Sequence, residues 1–240
     1  MKIYKYTSTK WMAGLGAVCM LSVLFLSSCL KNNNDYYVPP VGFVSFIQAS
    51  PDEPPLDFYL NNNKVNQTPI GYGATIDYFR AYTGTRTVNL YTLGTMNKTL
   101  SDTINVSANA VYSLFMINTS AHPGLLVLTD TLNQPASGKA GIRFVNVSPD
   151  APAVDFAIKD STAMVSNKSF KGFSSFLPVQ GGKSYSFEVR QHGTSTVLAT
   201  FANVPISSGL VYTIWFHGLA NTTNALDKLS IDIFTNAYYN

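Results

Sequence analysis

Short stretches of alternating apolar and polar residues recur along most of the chain. In the stretch 85–91, Val88 and Leu90 fall on one face, and the stretch 184–190 alternates in the same way. A period of two residues predicts half-buried β-strands, whose successive side chains point to opposite faces of a sheet. Alternation of this kind, repeated over most of the chain, predicts a protein that is built mainly of sheets.

Two longer runs, 111–117 and 211–216, are almost continuously apolar, which indicates central strands buried on both faces. Turn-forming residues separate the strands at intervals of about ten residues. They lie at 61–63, 83–84, 93–94, 181–182 and 192–193. No amphipathic helical pattern follows the first 28 residues. These features predict an all-β fold of immunoglobulin-like or transthyretin-like β-sandwiches.

A thirteen-residue block occurs twice in the sequence. FIQASPDEPPLDF covers residues 46–58 and FVNVSPDAPAVDF covers residues 144–156, so seven of thirteen positions are identical at an offset of 98 residues. Shorter similarities follow at an offset of 100 residues, in the runs that begin at Val111 and Val211. Repeats of this length have the size of whole domains. We therefore expect two tandem domains of about 100 residues each.

The first 28 residues have the features of a secretory signal peptide. Lys2, Lys5 and Lys10 accompany an apolar run, 11–26, that would reach about 24 Å as a helix, less than the roughly 30 Å of a bilayer core. Leu-Ser-Ser-Cys then ends at Cys29 and resembles the lipobox of bacterial lipoproteins. The resemblance implies cleavage before Cys29, acylation of its sulfur and its new amine, and stable attachment to the outer membrane. It leaves open which side of that membrane the protein faces.

Together these patterns divide the chain into five segments. We expect a lipoprotein signal peptide at 1–28, a flexible tether at 29–40, a first β-sandwich repeat at 41–132, a linker at 133–139 and a second β-sandwich repeat at 140–240. The tether is polar and ends in two prolines, so it is suited to hold the folded part away from the membrane. The linker combines proline, serine and glycine, as connecting segments do.

Loss of the signal peptide changes the charge of the chain. The full sequence has 16 basic and 13 acidic residues, and removal of its three N-terminal lysines leaves 13 of each. A net charge near zero gives no electrostatic reason to expect nucleic-acid binding. Cys19 leaves with the signal peptide and Cys29 would carry the lipid. Neither would then serve as a disulfide partner, a nucleophile or a metal ligand in the mature domains.

The repeated Phe-x-x-x-Ser-Pro-Asp-x-Pro-x-x-Asp-Phe block resembles the family of domains of unknown function numbered 4397. The likeness covers about residues 42–129 and 140–234. The second copy follows the family pattern more closely, because the first has Glu53 and Pro55 where alanine is usual. Members are often secreted or lipid-anchored bacterial proteins with the domain in tandem. The family has no established activity, so the resemblance implies a fold and a compartment but no mechanism.

The repeated block also carries the most evident candidate chemistry, in Ser50, Pro51, Asp52, Asp57, Ser148, Pro149, Asp150 and Asp155. We expect structural roles, since the prolines preset turn dihedrals and Asp52 and Asp150 can accept hydrogen bonds from nearby backbone N–H groups. The alternative is a calcium-stabilised module. Calcium takes six to eight oxygen ligands, however, and each copy offers only two or three carboxylates. No metal and no cofactor is therefore predicted.

Three histidines, His122, His192 and His217, leave a second alternative open. An envelope hydrolase could assemble a site from His217 or His122 with an aspartate and a serine that are distant in sequence. No His-x-x-x-His spacing and no Gly-x-Ser-x-Gly elbow accompanies them, and none recurs in the other repeat. We therefore expect that the protein is not an enzyme.

The segment 71–82 is dense in aromatic residues, which predicts either a ligand platform or packing within the sandwich, and packing is the stronger expectation. The predicted function is that of a non-catalytic, lipid-anchored envelope protein that serves binding, adhesion or structure. Its expected partners are the membrane, through the lipid on Cys29, and a glycan or an envelope protein.

Overall fold

A computed structural model of the protein describes residues 38–239. From Pro39 onward these residues belong to one compact unit. The predicted signal peptide, the predicted lipidation site Cys29 and most of the predicted tether lie outside the described residues. Between residues 38 and 239, no helix is long and apolar enough to cross a membrane.

The described part of the chain consists of sixteen β-strands and a short 3₁₀ turn, Ala225–Asp227. The strands of the first repeat are β1 (Val41–Gln48), β2 (Leu56–Leu60), β3 (Asn63–Lys64), β4 (Thr75–Tyr82), β5 (Gly84–Thr92), β6 (Lys98–Val106), β7 (Val111–Ile117) and β8 (Gly124–Thr129). Those of the second repeat are β9 (Lys139–Asn146), β10 (Val154–Ile158), β11 (Ala163–Lys168), β12 (Leu177–Gln180), β13 (Lys183–Gln191), β14 (Val197–Ile206), β15 (Leu210–His217) and β16 (Ser230–Tyr238).

Each repeat folds as two four-stranded sheets with the same connectivity. The first repeat has the sheets β4-β1-β7-β8 and β3-β2-β5-β6, and the second has β12-β9-β15-β16 and β11-β10-β13-β14. Every strand therefore has its counterpart eight strands later in the chain. In both repeats the first and seventh strands run parallel. The predicted all-β fold with two β-sandwiches is confirmed.

Each sandwich has its own hydrophobic core between its two sheets. Phe46 and Phe58, which open and close the repeated block, meet in the first core with ring centroids 4.8 Å apart. Phe144 and Phe156 do the same in the second core at 4.7 Å. In each repeat this pair joins a strand of one sheet to a strand of the other. In each copy of the block, the first and the last residue are phenylalanines that pack together in the core of their sandwich.

A third apolar cluster joins the two sandwiches to each other. Its buried members are Ile47, Ala49, Phe115, Ile117, Leu128, Val145, Val147 and Trp215. Along β7, Leu114 and Met116 face the core of the first sandwich, while Phe115 and Ile117 face the second sandwich. The inner sheets β4-β1-β7-β8 and β12-β9-β15-β16 thus pack face to face. The prediction that strands 111–117 and 211–216 are buried on both faces is confirmed.

A buried polar network lies between the same two sheets. Arg143 Nη1 and Asp130 Oδ1 are 2.5 Å apart, in an ion pair whose side chains are 3% and 0% exposed. Asp130 Oδ2 accepts hydrogen bonds from Ser113 Oγ at 2.6 Å and Tyr78 OH at 2.5 Å. Arg143 Nη2 also donates to Thr213 Oγ1 at 2.9 Å. Burial, reinforced by the Asp130 charge, raises the pKa of Tyr78, so its hydroxyl remains a neutral donor.

Candidate functional site

A small pocket lies on the outer face of the sheet β3-β2-β5-β6. We call it the tyrosine pocket. Its volume is about 200 Å³, and it is lined by Tyr59, Asn61, Asn62, Asn89, Tyr91, Thr95 and Met96. Strand alternation creates it: Phe58 and Leu90 are buried in the core, so the neighbouring Tyr59, Asn89 and Tyr91 point outward. The turns that follow β2 and β5 supply the other four residues.

The two tyrosines form a corner. The ring centroids of Tyr59 and Tyr91 are 5.4 Å apart, and the ring planes meet at 82°. The strand register pairs Tyr59 with Asn89, so the two tyrosines are diagonal neighbours on one face. Lys98 Nζ lies 5.7 Å from the Tyr91 ring centroid but does not line the pocket. Met96 does line the pocket, and because it is 88% exposed it forms part of the rim.

Two asparagine side chains are held in fixed orientations beside the rings. Asn61 Oδ1 accepts a hydrogen bond from the Thr87 N–H at 2.9 Å, and Asn89 Oδ1 accepts one from Ser101 Oγ at 2.7 Å. Within residues 38–239, neither Nδ2 group has a hydrogen-bond partner of its own. Both amides are therefore anchored through oxygen and can donate through nitrogen to a ligand.

The equivalent face of the second repeat carries different chemistry. Tyr59 corresponds to Ala157, and Tyr91 corresponds to Arg190. Arg190 Nη2 forms an ion pair with Glu188 Oε2 at 2.7 Å across this face. The same scaffold thus presents two aromatic rings in one repeat and an ion pair beside alanine in the other. Since the second sandwich forms without outward tyrosines, the fold itself does not require them.

A larger cleft, of about 450 Å³, lies between the linker and the connection from β11 to β12. Thr131, the linker residues 133–135 and residues 173–178 contribute most of its walls. Arg143 also lines it, but Asp130 already neutralises this guanidinium, and the Phe176 ring covers it at 4.7 Å from Cζ. The lining therefore offers a ligand no uncompensated charge.

The first aspartate of the repeated block fastens a distant loop in each repeat. Asp52 Oδ1 and Oδ2 accept hydrogen bonds from the N–H and the hydroxyl of Ser120, at 2.8 and 2.9 Å. Asp150 accepts them from the N–H groups of Ala220 and Asn221, at 2.7 and 3.0 Å. The donors lie 68 to 71 residues further along the chain, rather than in the same turn as the aspartate. Each carboxylate thus ties the loop before the second strand to the loop after the seventh.

The second aspartate of the block supports a hairpin turn. Asp57 Oδ2 accepts a hydrogen bond from the Gly94 N–H at 3.2 Å, and Asp155 Oδ2 accepts one from the Gly193 N–H at 3.3 Å. Both glycines have positive φ angles and follow the fifth strand of their repeat. A hydrogen bond from Lys64 Nζ, 2.7 Å away, is the main cause that lowers the pKa of Asp57, against the opposing effect of burial. These carboxylate oxygens are occupied by protein donors.

The prolines and serines of the block shape its turns. Pro51 lies in a turn and Pro149 in a bend. Ser50 and Ser148 are fully buried, and Ser148 Oγ donates to the Gly218 carbonyl at 2.7 Å. In the part of the chain that the structure describes, no three His, Cys, Asp or Glu side chains are grouped so that they could hold a metal ion.

His192 comes near both a serine and an aspartate. Its Nδ1 lies 2.9 Å from Asp155 Oδ1 and 3.4 Å from Ser166 Oγ. A Ser-His-Asp relay needs the two partners on opposite ring nitrogens, but here both approach Nδ1. Burial raises the pKa of Asp155, but hydrogen bonds from Ser166, Asn167, His192 and Gly193 outweigh it and lower the pKa overall. The arrangement therefore holds a charged structural acceptor and does not activate the serine.

The two histidines considered for a hydrolase lie elsewhere. His217 is 4% exposed, with Nδ1 2.5 Å from Tyr72 OH and Nε2 3.1 Å from Asp232 Oδ2. Among residues 38–239, no serine contacts either ring nitrogen. Burial raises the pKa of Tyr72, which keeps its hydroxyl protonated and unsuited to nucleophilic attack. His122 lies in the exposed loop after β7.

The aromatic segment 71–82 packs mainly against the protein. Tyr72 and Tyr78 bind polar groups of the second repeat or of the buried network, and Phe79 packs in the first core. Tyr82, at 59% exposed, is the exception. The expectation of packing is therefore confirmed for most of the segment. Sequence reasoning missed the tyrosine pocket, although the alternation in β5 was a signal for its outward face.

Comparisons with solved structures give similarities of about the same low level. A streptococcal virulence factor that binds α-glucan is 10% identical, with a TM-score of 0.25 over 81% of this chain and 97% of that chain. The family CBM26 module CBMbc from Eubacterium rectale Amy13K, in complex with maltoheptaose, is 11% identical, with the same TM-score and coverage. The Bacillus anthracis TIE protein is 11% identical, with a TM-score of 0.25 over 82% of this chain and 44% of that chain. Similarities this low support no conclusion about a ligand.

No curated protein matches the chain. The family comparison does give a match, which begins in β1, covers the first repeat and the linker, and ends within β10. Residues 42–157 match DUF4397, a domain of unknown function, and this supports the family that the repeated block predicts.

Proposed function

We propose that this chain is a non-catalytic, lipid-anchored module of the bacterial cell envelope that binds a neutral glycan at the tyrosine pocket. Two tandem DUF4397 domains, at 41–132 and 140–240, form its folded part and are joined by the linker at 133–139. The acylated Cys29 holds them at the outer membrane through the tether.

The observation that carries this proposal is the chemistry of the tyrosine pocket. Sugar rings combine apolar C–H faces, which pack on aromatic rings, with hydroxyl groups, which bind side-chain amides. Tyr59 and Tyr91 supply the rings, and Asn61 and Asn89 supply the anchored amides. None of the seven lining residues is charged. A neutral, hydroxyl-rich ligand therefore fits the pocket better than a nucleic acid or an acidic peptide.

Replacing Tyr59 or Tyr91 with alanine is expected to weaken glycan binding by about tenfold or more, which corresponds to roughly 1.4 kcal/mol. The loss follows from removal of the ring surface on which the sugar packs. Tyr82→Ala is the matched control, since Tyr82 is an exposed tyrosine on β4 outside the pocket. Isothermal titration calorimetry of the wild type and the three variants with a panel of neutral glycans measures the change in affinity.

Two results would contradict the proposal. Unchanged affinity in both Tyr59→Ala and Tyr91→Ala would show that the tyrosine pocket is not the binding site. Turnover of a glycan by the purified protein would contradict a non-catalytic role, and the buried His217 and the exposed His192 would then be the first residues to replace.

The anchor is proposed from the sequence around Cys29. The mature protein is expected to begin at Cys29 and to be heavier than its polypeptide by a diacylglyceryl group and a further acyl chain. Intact-mass measurement of the protein extracted from membranes tests this. Cys29→Ala is expected to abolish the added mass and the membrane association, and a wild-type protein without lipid would refute the anchor.

A further inference from the structure

We infer that the tyrosine pocket binds a single sugar unit at the end or at a branch of a neutral glycan, and not a run of linked units along a chain. This inference rests on the proposed function and specifies the ligand of the same pocket. Three properties of the pocket lead to it: its size, the angle between its rings and the placement of its donors.

The pocket is small. Its volume of about 200 Å³ lies below the roughly 300–1,000 Å³ of usual small-molecule sites. The turn at Asn61 and Asn62 bounds it on one side, and the turn at Thr95 and Met96 bounds it on another. A cavity of this size accommodates one ring-sized group, so further units of a glycan would lie outside it.

The angle between the two tyrosine rings also favours a single bound sugar unit. An extended stacking platform offers successive aromatic faces to successive units of a chain, as proteins that bind single-stranded nucleic acids do for the bases. The planes of Tyr59 and Tyr91 instead meet at 82°, with centroids only 5.4 Å apart. A sugar that packs flat on one ring therefore meets the other ring at its edge. The corner thus holds two sides of one unit rather than two units.

The free amide donors lie around the same ring. Asn89 is the cross-strand partner of Tyr59, at a separation of about 5 Å between Cβ atoms. Asn61 lies in the turn that follows β2, two residues after Tyr59, and lines the same pocket. Both Nδ2 donors therefore belong to side chains that border the same small pocket as the Tyr59 ring. Hydroxyl oxygens of one unit, packed on Tyr59, can accept from both asparagines at once.

The test compares ligands of different length on the full protein, extracted from membranes in detergent. Methyl glycosides of glucose, galactose, mannose and N-acetylglucosamine are titrated beside the linear hexasaccharides of the same sugars, with binding followed by NMR. A linear chain has one non-reducing end, so end recognition predicts that the best monosaccharide and its hexasaccharide bind within about fivefold of each other. Tyr59→Ala and Asn61→Ala are expected to weaken both ligands equally, and Tyr82→Ala neither.

Each outcome decides the question. A hexasaccharide that binds more than about fivefold tighter than its monosaccharide, through Tyr59 and Tyr91, would overturn the inference but leave the proposed glycan binding intact. Binding of neither length, to a wild-type protein with a normal thermal transition, would overturn the proposed function and the inference with it. Equal affinity for both lengths, lost in Tyr59→Ala, supports both.

Discussion

Replacing Asp130 with alanine is expected to lower the free energy of unfolding by about 3–5 kcal/mol. The side chain of Asp130 is fully buried and pairs with that of Arg143, which is itself 3% exposed. Removal of the carboxylate leaves a buried guanidinium without its counter-charge. It also takes the acceptor away from the hydroxyls of Ser113 and Tyr78. Chemical denaturation of the wild type and the variant measures the loss.

Two further variants make this result specific. Asp102→Ala removes an exposed aspartate of β6 and is expected to change the free energy of unfolding by less than about 0.5 kcal/mol. The double variant with Asp130→Leu and Arg143→Met leaves neither charge of this pair buried without the other, so most of the stability is expected to return. A loss below about 1 kcal/mol for Asp130→Ala would mean that the pair is hydrated and does not lie between packed sheets.

The shared apolar cluster and the buried ion pair form the junction between the two sandwiches. The sequence predicts the strands of this junction but not the contacts between them. The apolar runs 111–117 and 211–216 predict burial on both faces, because a strand of a sandwich needs that composition only when something covers its outer side. The pattern does not say what covers it. The covering layer is the other repeat, and the polar contacts that accompany it are not repeated, since Arg143 occupies the position of Ser45. Internal similarity therefore cannot identify them.

The tyrosine pocket is not predicted from the sequence for a related reason. The density of aromatic residues makes the segment 71–82 a candidate ligand platform. That density reflects packing instead, since Tyr78 and Phe79 contact other side chains of the protein. Tyr59 and Tyr91 lie 32 positions apart in the sequence, and only the pairing of β2 with β5 brings them together. Alternation alone could have placed each of them on an outward face. The register that makes them neighbours is a property of the folded sheet.

Replacing Phe115 with alanine is expected to lower the free energy of unfolding by about 3–5 kcal/mol, because it opens a cavity between the two sandwiches. Phe115 is fully buried, and its ring centroid lies 6.3 Å from those of both Trp215 and Phe234. Trp215 lies in this cluster, and Trp11 belongs to the predicted signal peptide. In a chain that lacks the predicted signal peptide, tryptophan fluorescence therefore reports on the junction, while circular dichroism reports on both sandwiches.

Phe187→Ala is the matched variant for this experiment, since Phe187 is equally buried but lies within the core of the second sandwich. If the sandwiches unfold as one cooperative unit, both variants lose stability in a single transition, and fluorescence and dichroism coincide in each. Stacked inner sheets with a shared apolar cluster favour this result. If fluorescence instead changes at lower denaturant than dichroism in Phe115→Ala alone, the junction opens while both sandwiches stay folded. The repeats would then be independent domains that merely touch, and the buried ion pair would be a contact between them rather than part of one core.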